Sequence, residues 1–310
     1  MIDAQADILA HVVRGGFVES AHRGHLVASG DIRRGRPDVT FFARSTLKPV
    51  QAVAMLRAGL DLDGELLALA AASHAGEPGH VEGARRILAG AGLTEADLQN
   101  TPTLPGDPEA AFAWRAAGNK AASITQDCSG KHAAMLATCV AAGWDTATYR
   151  DPEHPLQREI RATVAELTGD GEPAHVSVDG CGAPLFSCTV TGLARAYGRI
   201  AAAEPGAPEH RVATAFRNHP WFVGGTGRDA TRFMELVPGL IAKDGAEGVF
   251  AAALPDGRTM ALKLVDGAHR AARVVVAEVL RRWGVDGADE LGRVPVLGHG
   301  EPVGEIIFAG

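Results

Sequence analysis

Lysine is scarce in this chain, with 5 residues of 310 against 25 arginines. Aromatic residues make up 5%. No apolar run reaches the roughly 20 residues of a membrane-spanning helix; segments such as Leu66–Ala72 are far shorter, so no membrane partner is expected. Nor is there an excess of positive charge: 37 acidic residues outnumber 30 basic ones, for a net charge of -7. Without a Lys/Arg-rich stripe to neutralise phosphates, nucleic acid is excluded as a partner. A secretory leader is also missing from the reading, because Asp3 and Asp7 stand where one carries positive charge and no apolar stretch follows. A cytoplasmic, reducing setting is therefore expected for Cys128, Cys139, Cys181 and Cys188. There they serve as thiols or metal ligands, and Cys139 and Cys188 read as ordinary buried thiols.

The lysine deficit is informative in itself. A chain that uses arginine for surface charge keeps lysine where arginine cannot serve. Arginine is never deprotonated in a protein, whereas a buried lysine amine can become a base or a ligand. That singles out Lys48, Lys120, Lys131, Lys243 and Lys263.

Strand-like segments cluster at the two ends of the chain. Phe17–His22 and His25–Ser29 read as a hairpin about Arg23-Gly24, and Val39–Ala43 as a short strand. Leu240–Ala242, Gly248–Leu254 and Thr259–Val265 are strand-like, the last two joined by a turn at Pro255–Arg258, and Gly304–Phe308 is a terminal strand. Between them lie helices, including 63–72, 79–91, Lys131–Ala142, Pro155–Leu167 and Gly192–Ala203, with Thr94 and Asp97 as a capping pair. Ala268–Trp283 reads as a long amphipathic helix. This pattern predicts an α/β (α+β) fold. One antiparallel sheet is built from the N- and C-terminal segments (1–72 plus 191–310), with helices against it, and a mainly helical insertion spans 73–190.

The sharpest local motif is Arg44-Ser45-Thr46-Leu47-Lys48. With Ser45 opening a helix, both side chains project from one face a turn apart. A serine hydroxyl is a weak nucleophile until a base takes its proton, and a neutral lysine amine can do so. Burial and a second cation are what favour the neutral amine. Alone, Ser-x-x-Lys is a common pattern and serine a common helix cap. Here it is followed by Ser73-His74-Ala75-Gly76 and by Lys243-Asp244-Gly245, an order that resembles the penicillin-recognising serine hydrolases. Lys243 is then the second cation. A further constellation joins Asp127–His132 to Val178–Pro184, where Cys128 and Cys181 could supply two thiolates to a soft tetrahedral ion such as Zn²⁺. His132 is the nitrogen donor expected on general grounds.

Five motifs stand in order: Arg-Ser-x-x-Lys-Pro-x-Gln (Arg44–Gln51), Ser-His-x-Gly-x-x-x-His (Ser73–His80), Cys-Ser-Gly-Lys-His (Cys128–His132), Asp-Gly-Cys-Gly-x-Pro (Asp179–Pro184) and Lys-x-Gly-x-Glu-Gly (Lys243–Gly248). Together they resemble the asparaginase II family of rhizobial type, over residues 10 to 310. The resemblance implies a serine β-lactamase-like fold and an L-asparaginase acting through an acyl-enzyme. Ser45 is its nucleophile, Lys48 the base, and Ser73 with Lys243 a second Ser–Lys pair. It also implies one Zn²⁺ per subunit on Cys128, Lys131 and Cys181, and Arg44, His132, Asp179, Gly180 and Gly245 around the substrate. A homodimer is implied as well. Glutaminase or β-lactam-recognising activity on the same fold is the alternative.

Overall fold

The computed structural model describes residues 5–310; Asp3 lies outside them. The strands are β1 (Asp7–Arg14), β2 (Phe17–Ala28), β3 (Ile32–Arg34), β4 (Thr40–Phe42), β5 (Val176–Val178), β6 (Pro184–Thr189), β7 (Ile241–Gly245), β8 (Val249–Ala253), β9 (Thr259–Leu264), β10 (Val294–Gly298) and β11 (Glu301–Phe308). The main sheet is antiparallel in the order β10-β11-β1-β2-β9-β8-β7, with β3 added beside β2. The chain ends meet in its middle, where Ala10 opposes Phe308 and Val12 opposes Ile306. A second sheet, β4-β6-β5, ties the early chain to the segment before residue 190.

The helices are α1 (Lys48–Arg57), α2 (Gly64–Ala70), α3 (Pro78–Gly90), α4 (Pro108–Ala116), α5 (Ser129–Ala142), α6 (Pro155–Thr168), α7 (Val190–Ala201), α8 (Pro208–Asn218), α9 (Pro220–Gly224), α10 (Asp229–Leu236) and α11 (Ala272–Arg282). Both α7 and α11 pack on the sheet. Residues 249–253 are all buried, which explains why β8 reads as a continuous apolar run rather than an alternating one. Helix α1 is buried from Lys48 to Leu56 and packs against α5, α6 and α8. Its interior is mostly small and apolar, with Val50, Ala52, Val53 and Ala54 all buried. Thr94 and Asp97 form the expected capping box, with the Thr94 N–H donating to Asp97 Oδ2 at 2.8 Å.

Some sequence expectations shift. The first hairpin turns at Gly15-Gly16, both at positive φ, and not at Arg23-Gly24. Gly24 lies inside β2 because a Cβ there would fall 2.4 Å from the Lys263 carbonyl oxygen; it permits strand approach rather than a turn. Ser45 does not open an α-helix. It sits in a 3₁₀ turn, Arg44–Leu47, that runs into α1. Strand β7 extends through Lys243 to Gly245 instead of stopping at Ala242. Strand β10, with Pro295 on the sheet's edge, is an addition to the reading.

A close helix approach lies beside the conspicuous motifs. A Cβ on Gly130 of α5 would stand 2.6 Å from the carbonyl oxygen of Leu69 in α2. Backbone cannot yield as a side chain does. Gly130→Ala is expected to destabilise the fold by about 1–3 kcal/mol, read from denaturant midpoints; an unchanged midpoint would contradict this packing.

Candidate active site

The 3₁₀ turn holding Ser45 is fixed from several directions. Thr46 Oγ1 donates to the Ala43 carbonyl at 2.7 Å, and the buried Tyr197 hydroxyl donates to the Thr46 carbonyl at 2.9 Å. Arg44 takes φ +54°, an uncommon conformation for a residue with a side chain, and its guanidinium pairs with Asp179 at 2.8 Å. Gly245 at the end of β7 packs onto the same turn, where a Cβ would meet the Ala43 oxygen and Thr46 Cγ2 at 3.1 Å. The turn is therefore clamped between β7, α7 and the Asp179 loop.

A cavity of about 420 Å³ opens against it, and Ser45, Ser73, Gly245 and Ala246 all line it. Behind Ser73, the Lys48 side chain is 2% exposed. Its Nζ donates to the Ala72 carbonyl at 2.5 Å, to Ser73 Oγ at 2.9 Å and to Cys128 Sγ at 3.1 Å. No hydrogen bond joins Lys48 to Ser45 among the described residues, although they are neighbours in sequence. The amine is instead drawn inward by the Ala72 carbonyl, just past the end of α2. Lys243 is completely buried and bonds Asp244, through its carbonyl at 2.6 Å and Oδ1 at 3.0 Å, rather than Ser73. Burial pulls its affinity for a proton down and the nearby Lys48 charge adds to this, against the opposing pull of Asp244. Asp244 stays ionised far below the ordinary carboxylate range: burial opposes this, but Lys243 and Arg228 outweigh it.

The remaining predicted residues separate into two places. Asp179 pairs with Arg44 and accepts the Gly180 N–H at 2.7 Å, while the Gly180 carbonyl accepts Thr101 Oγ1 at 2.8 Å. These do not line the cavity. His132 is fully buried, with Nδ1 on the Tyr149 hydroxyl at 2.7 Å. It stands with Cys128, Lys131 and Cys181, and Lys131 Nζ donates to Cys181 Sγ at 3.3 Å. The sequence reading passed over Arg228, Asp229 and His269, which line the cavity. The glycine-rich run Gly224–Gly227 before Arg228 was the available signal.

With this geometry established, likeness to known proteins can be stated. The family model of L-asparaginase II matches residues 10–308. The chain belongs to the L-asparaginase II family. Membership makes it an asparaginase-type amidohydrolase. Among curated protein sequences none matches. Similar solved structures include a beta-lactamase from Mycobacterium bovis at 13% identity, with 88% of this chain and 94% of that chain covered and a TM-score of 0.45. A beta-lactamase from Desulfarculus baarsii is 20% identical, with 84% and 90% covered and a TM-score of 0.35. A protein called Mglu, in its native form at high salt, is 16% identical with a TM-score of 0.40; the alignment covers 78% of this chain but only 55% of Mglu.

Whether this family member can hold zinc is tested by its donors. Among the described residues no three His, Cys, Asp or Glu side chains gather as a metal site. The expected set has only two of those types, because its third donor is an amine. The two thiols divide their roles. Cys181 is drawn towards the thiolate by the hydrogen bond from Cys128 and by Lys131, against burial, and Cys128 is pushed above the ordinary thiol range by that hydrogen bond and by burial. Lys131 is also held protonated: burial opposes it, and Cys181 and Cys128 outweigh that. Nearby, the buried His132 imidazole interacts with Cys181. Two sulfurs and an amine are donors that suit a zinc ion, and its binding would displace the protons on Cys128 and Lys131.

Burial of neutral imidazoles sets a pH response. Burial lowers His132 to about 4, with Lys131 helping and Cys181 opposing. His74 is lowered well below its ordinary value by burial and then by His80 and Lys48. A depressed histidine means that the unfolded chain binds the extra proton first. Stability of the metal-free protein is thus full above about pH 6.5 and declines towards pH 4, by roughly 3 kcal/mol for His132 alone. Denaturant titrations at pH 7.0 and 4.5 should show that loss; equal stability at both would contradict the burial argument.

Proposed function

We propose that this enzyme hydrolyses the side-chain carboxamide of L-asparagine to L-aspartate and ammonia, through an acyl-enzyme on Ser45. The carrying observation is the buried Lys48 amine bonded to Ser73 Oγ at 2.9 Å, directly behind a cavity lined by both serines. Ser45 Oγ attacks the carboxamide carbon while its proton passes by way of the Ser73 hydroxyl to Lys48, the base of the pair. The N–H groups of Ser45 and Ala246, on the two backbone segments that Gly245 packs together, donate to the developing oxyanion. As the C–N bond breaks, the proton on Lys48 moves through the Ser73 hydroxyl to the leaving nitrogen, which departs as ammonia. Water then attacks the ester, gives its proton back along the same route, and releases L-aspartate with Ser45 restored. Lys243 is the second cation of the network. Its own charge is balanced by Asp244 at 3.0 Å.

Cys128, Lys131 and Cys181 would hold the zinc ion, with His132 beside them. When bound, zinc would supply a fixed positive charge at these donors. Arg44 and Asp179 brace the nucleophile turn. Four free cysteines suit a reducing cytoplasm, and we read the enzyme as a homodimer on the family resemblance.

Ser45→Ala is expected to abolish ammonia release, and Lys48→Arg to be nearly as damaging as Lys48→Ala, because an arginine cannot be the base. Losses of about 10³-fold or more in kcat are expected for all three; near-normal release by Ser45→Ala would overturn the assignment. Purified enzyme should carry about one zinc per chain by elemental analysis, and Cys181→Ser should lower that content at least tenfold. Unaltered zinc content would move the metal elsewhere.

A further inference from the structure

The cavity carries more charge than the proposed chemistry uses. Asp127, Arg228, Asp229, Asp244 and His269 line it alongside Ser45 and Ser73. The carboxylates differ in their partners. Asp244 is held by Lys243 at 3.0 Å and faces Arg228 at 3.6 Å, and Asp229 pairs with Arg273 at 3.3 Å. Asp127 makes no ion pair among the described residues, and only its Oδ1 accepts a side-chain hydrogen bond, from Gln126 at 2.7 Å.

The cations differ as well. Lys48 and Lys243 are buried behind the wall, and Arg44 is committed to Asp179. Arg228 is the lining residue with a permanent positive charge. Its side chain is 45% exposed, and its guanidinium makes no hydrogen bond among the described residues, only the 3.6 Å approach to Asp244. Five N–H donors in a planar fork suit a carboxylate.

Arg228 is also held in position. Gly225 takes φ +112°, and a Cβ there would fall 2.7 Å from both Ala75 Cβ and Glu77 Oε1. Thr226 donates to Glu77 through its N–H and its hydroxyl, each at 2.8 Å. This loop leads directly into Arg228 and α10.

We propose that Arg228 binds the α-carboxylate and Asp127 the α-ammonium of a free α-amino acid, leaving its side-chain carboxamide to Ser45. The assignment rests on the Ser45 reading above and adds the two side chains that recognise the α-groups of its substrate. Asparagine inside a peptide, or acylated on its nitrogen, lacks the charge that Asp127 receives.

The test compares L-asparagine with β-alaninamide, which lacks the α-carboxylate, and succinamic acid, which lacks the α-ammonium. Relative to β-alaninamide, Arg228→Gln should lower kcat/KM for asparagine and for succinamic acid about 30-fold or more, mainly through KM, with Arg228→Lys intermediate. Asp127→Asn should show the crossed pattern, lowering asparagine and β-alaninamide relative to succinamic acid. An analogue that is not turned over is scored by its inhibition constant against asparagine. Equal losses on all three compounds, or a KM for asparagine within threefold of wild type in Arg228→Gln, would overturn the clamp. Failure of the Ser45 reading looks different: ammonia release would survive Ser45→Ala while the crossed pattern persisted.

Discussion

A lysine amine with 2% exposure stands where three segments of this chain meet. An unpartnered buried charge or amine costs several kcal/mol, so the groups that receive it are constrained by it. Lys48 begins α1, Ala72 and Ser73 follow α2, and Cys128 precedes α5; the bonds at 2.5, 2.9 and 3.1 Å fasten those ends to one point. The same point touches both halves of the chemistry. Ser73 is on the cavity side, and Cys128 is on the side of the cysteine–lysine cluster. Moving any of the three segments would cost the amine at least one of these bonds, which helps keep a 3₁₀ turn and two helix ends in register around a cavity.

The scarcity of lysine follows the same logic. Lys48, Lys131, Lys243 and Lys263 are all buried, and Lys120 alone is exposed. Each buried amine has a different counterpart: a serine and a thiol, a thiolate, a carboxylate, and for Lys263 the carbonyl of Glu247. Lys263 lay in none of the motifs, yet it fastens the turn after Gly245 and Ala246. Arginines meanwhile form most of the surface ion pairs, such as Arg57 with Glu166 and Arg85 with Glu95. The two basic residues are divided by whether the proton must be movable.

Much of the architecture was legible because it depends on local pattern. Buried β8 reads as an apolar run, α11 as an amphipathic stripe, and the terminal strands pair as the ordering of elements required. The misplaced first turn shows the limit: Gly24 is a glycine for cross-strand approach, and its reason lies 239 residues away at Lys263. Site residues followed the same division. Ser45, Ser73, Cys128 and Lys131 sit in contiguous motifs and can be picked out as candidates from the chain alone. Arg228 and Asp229 reach the cavity from the start of α10 and His269 from the turn before α11, and no spacing in one dimension links them to Ser45. The partner exchange, in which Lys48 meets Ser73 and Lys243 meets Asp244, was equally invisible, because it depends on which carbonyl lies nearest each amine.

That exchange leaves two serine hydroxyls facing one cavity, so the central claim is that Ser45 and not Ser73 carries the acyl group. The direct measurement is acid quenching of the enzyme during turnover of L-asparagine, followed by peptide mass analysis of trypsin fragments. Cleavage after Arg44 isolates Ser45 on a peptide ending at Arg57, separate from Ser73. The account predicts an aspartyl adduct on Ser45, absent in Ser45→Ala. An adduct on Ser73, or steady turnover without any adduct, would contradict it.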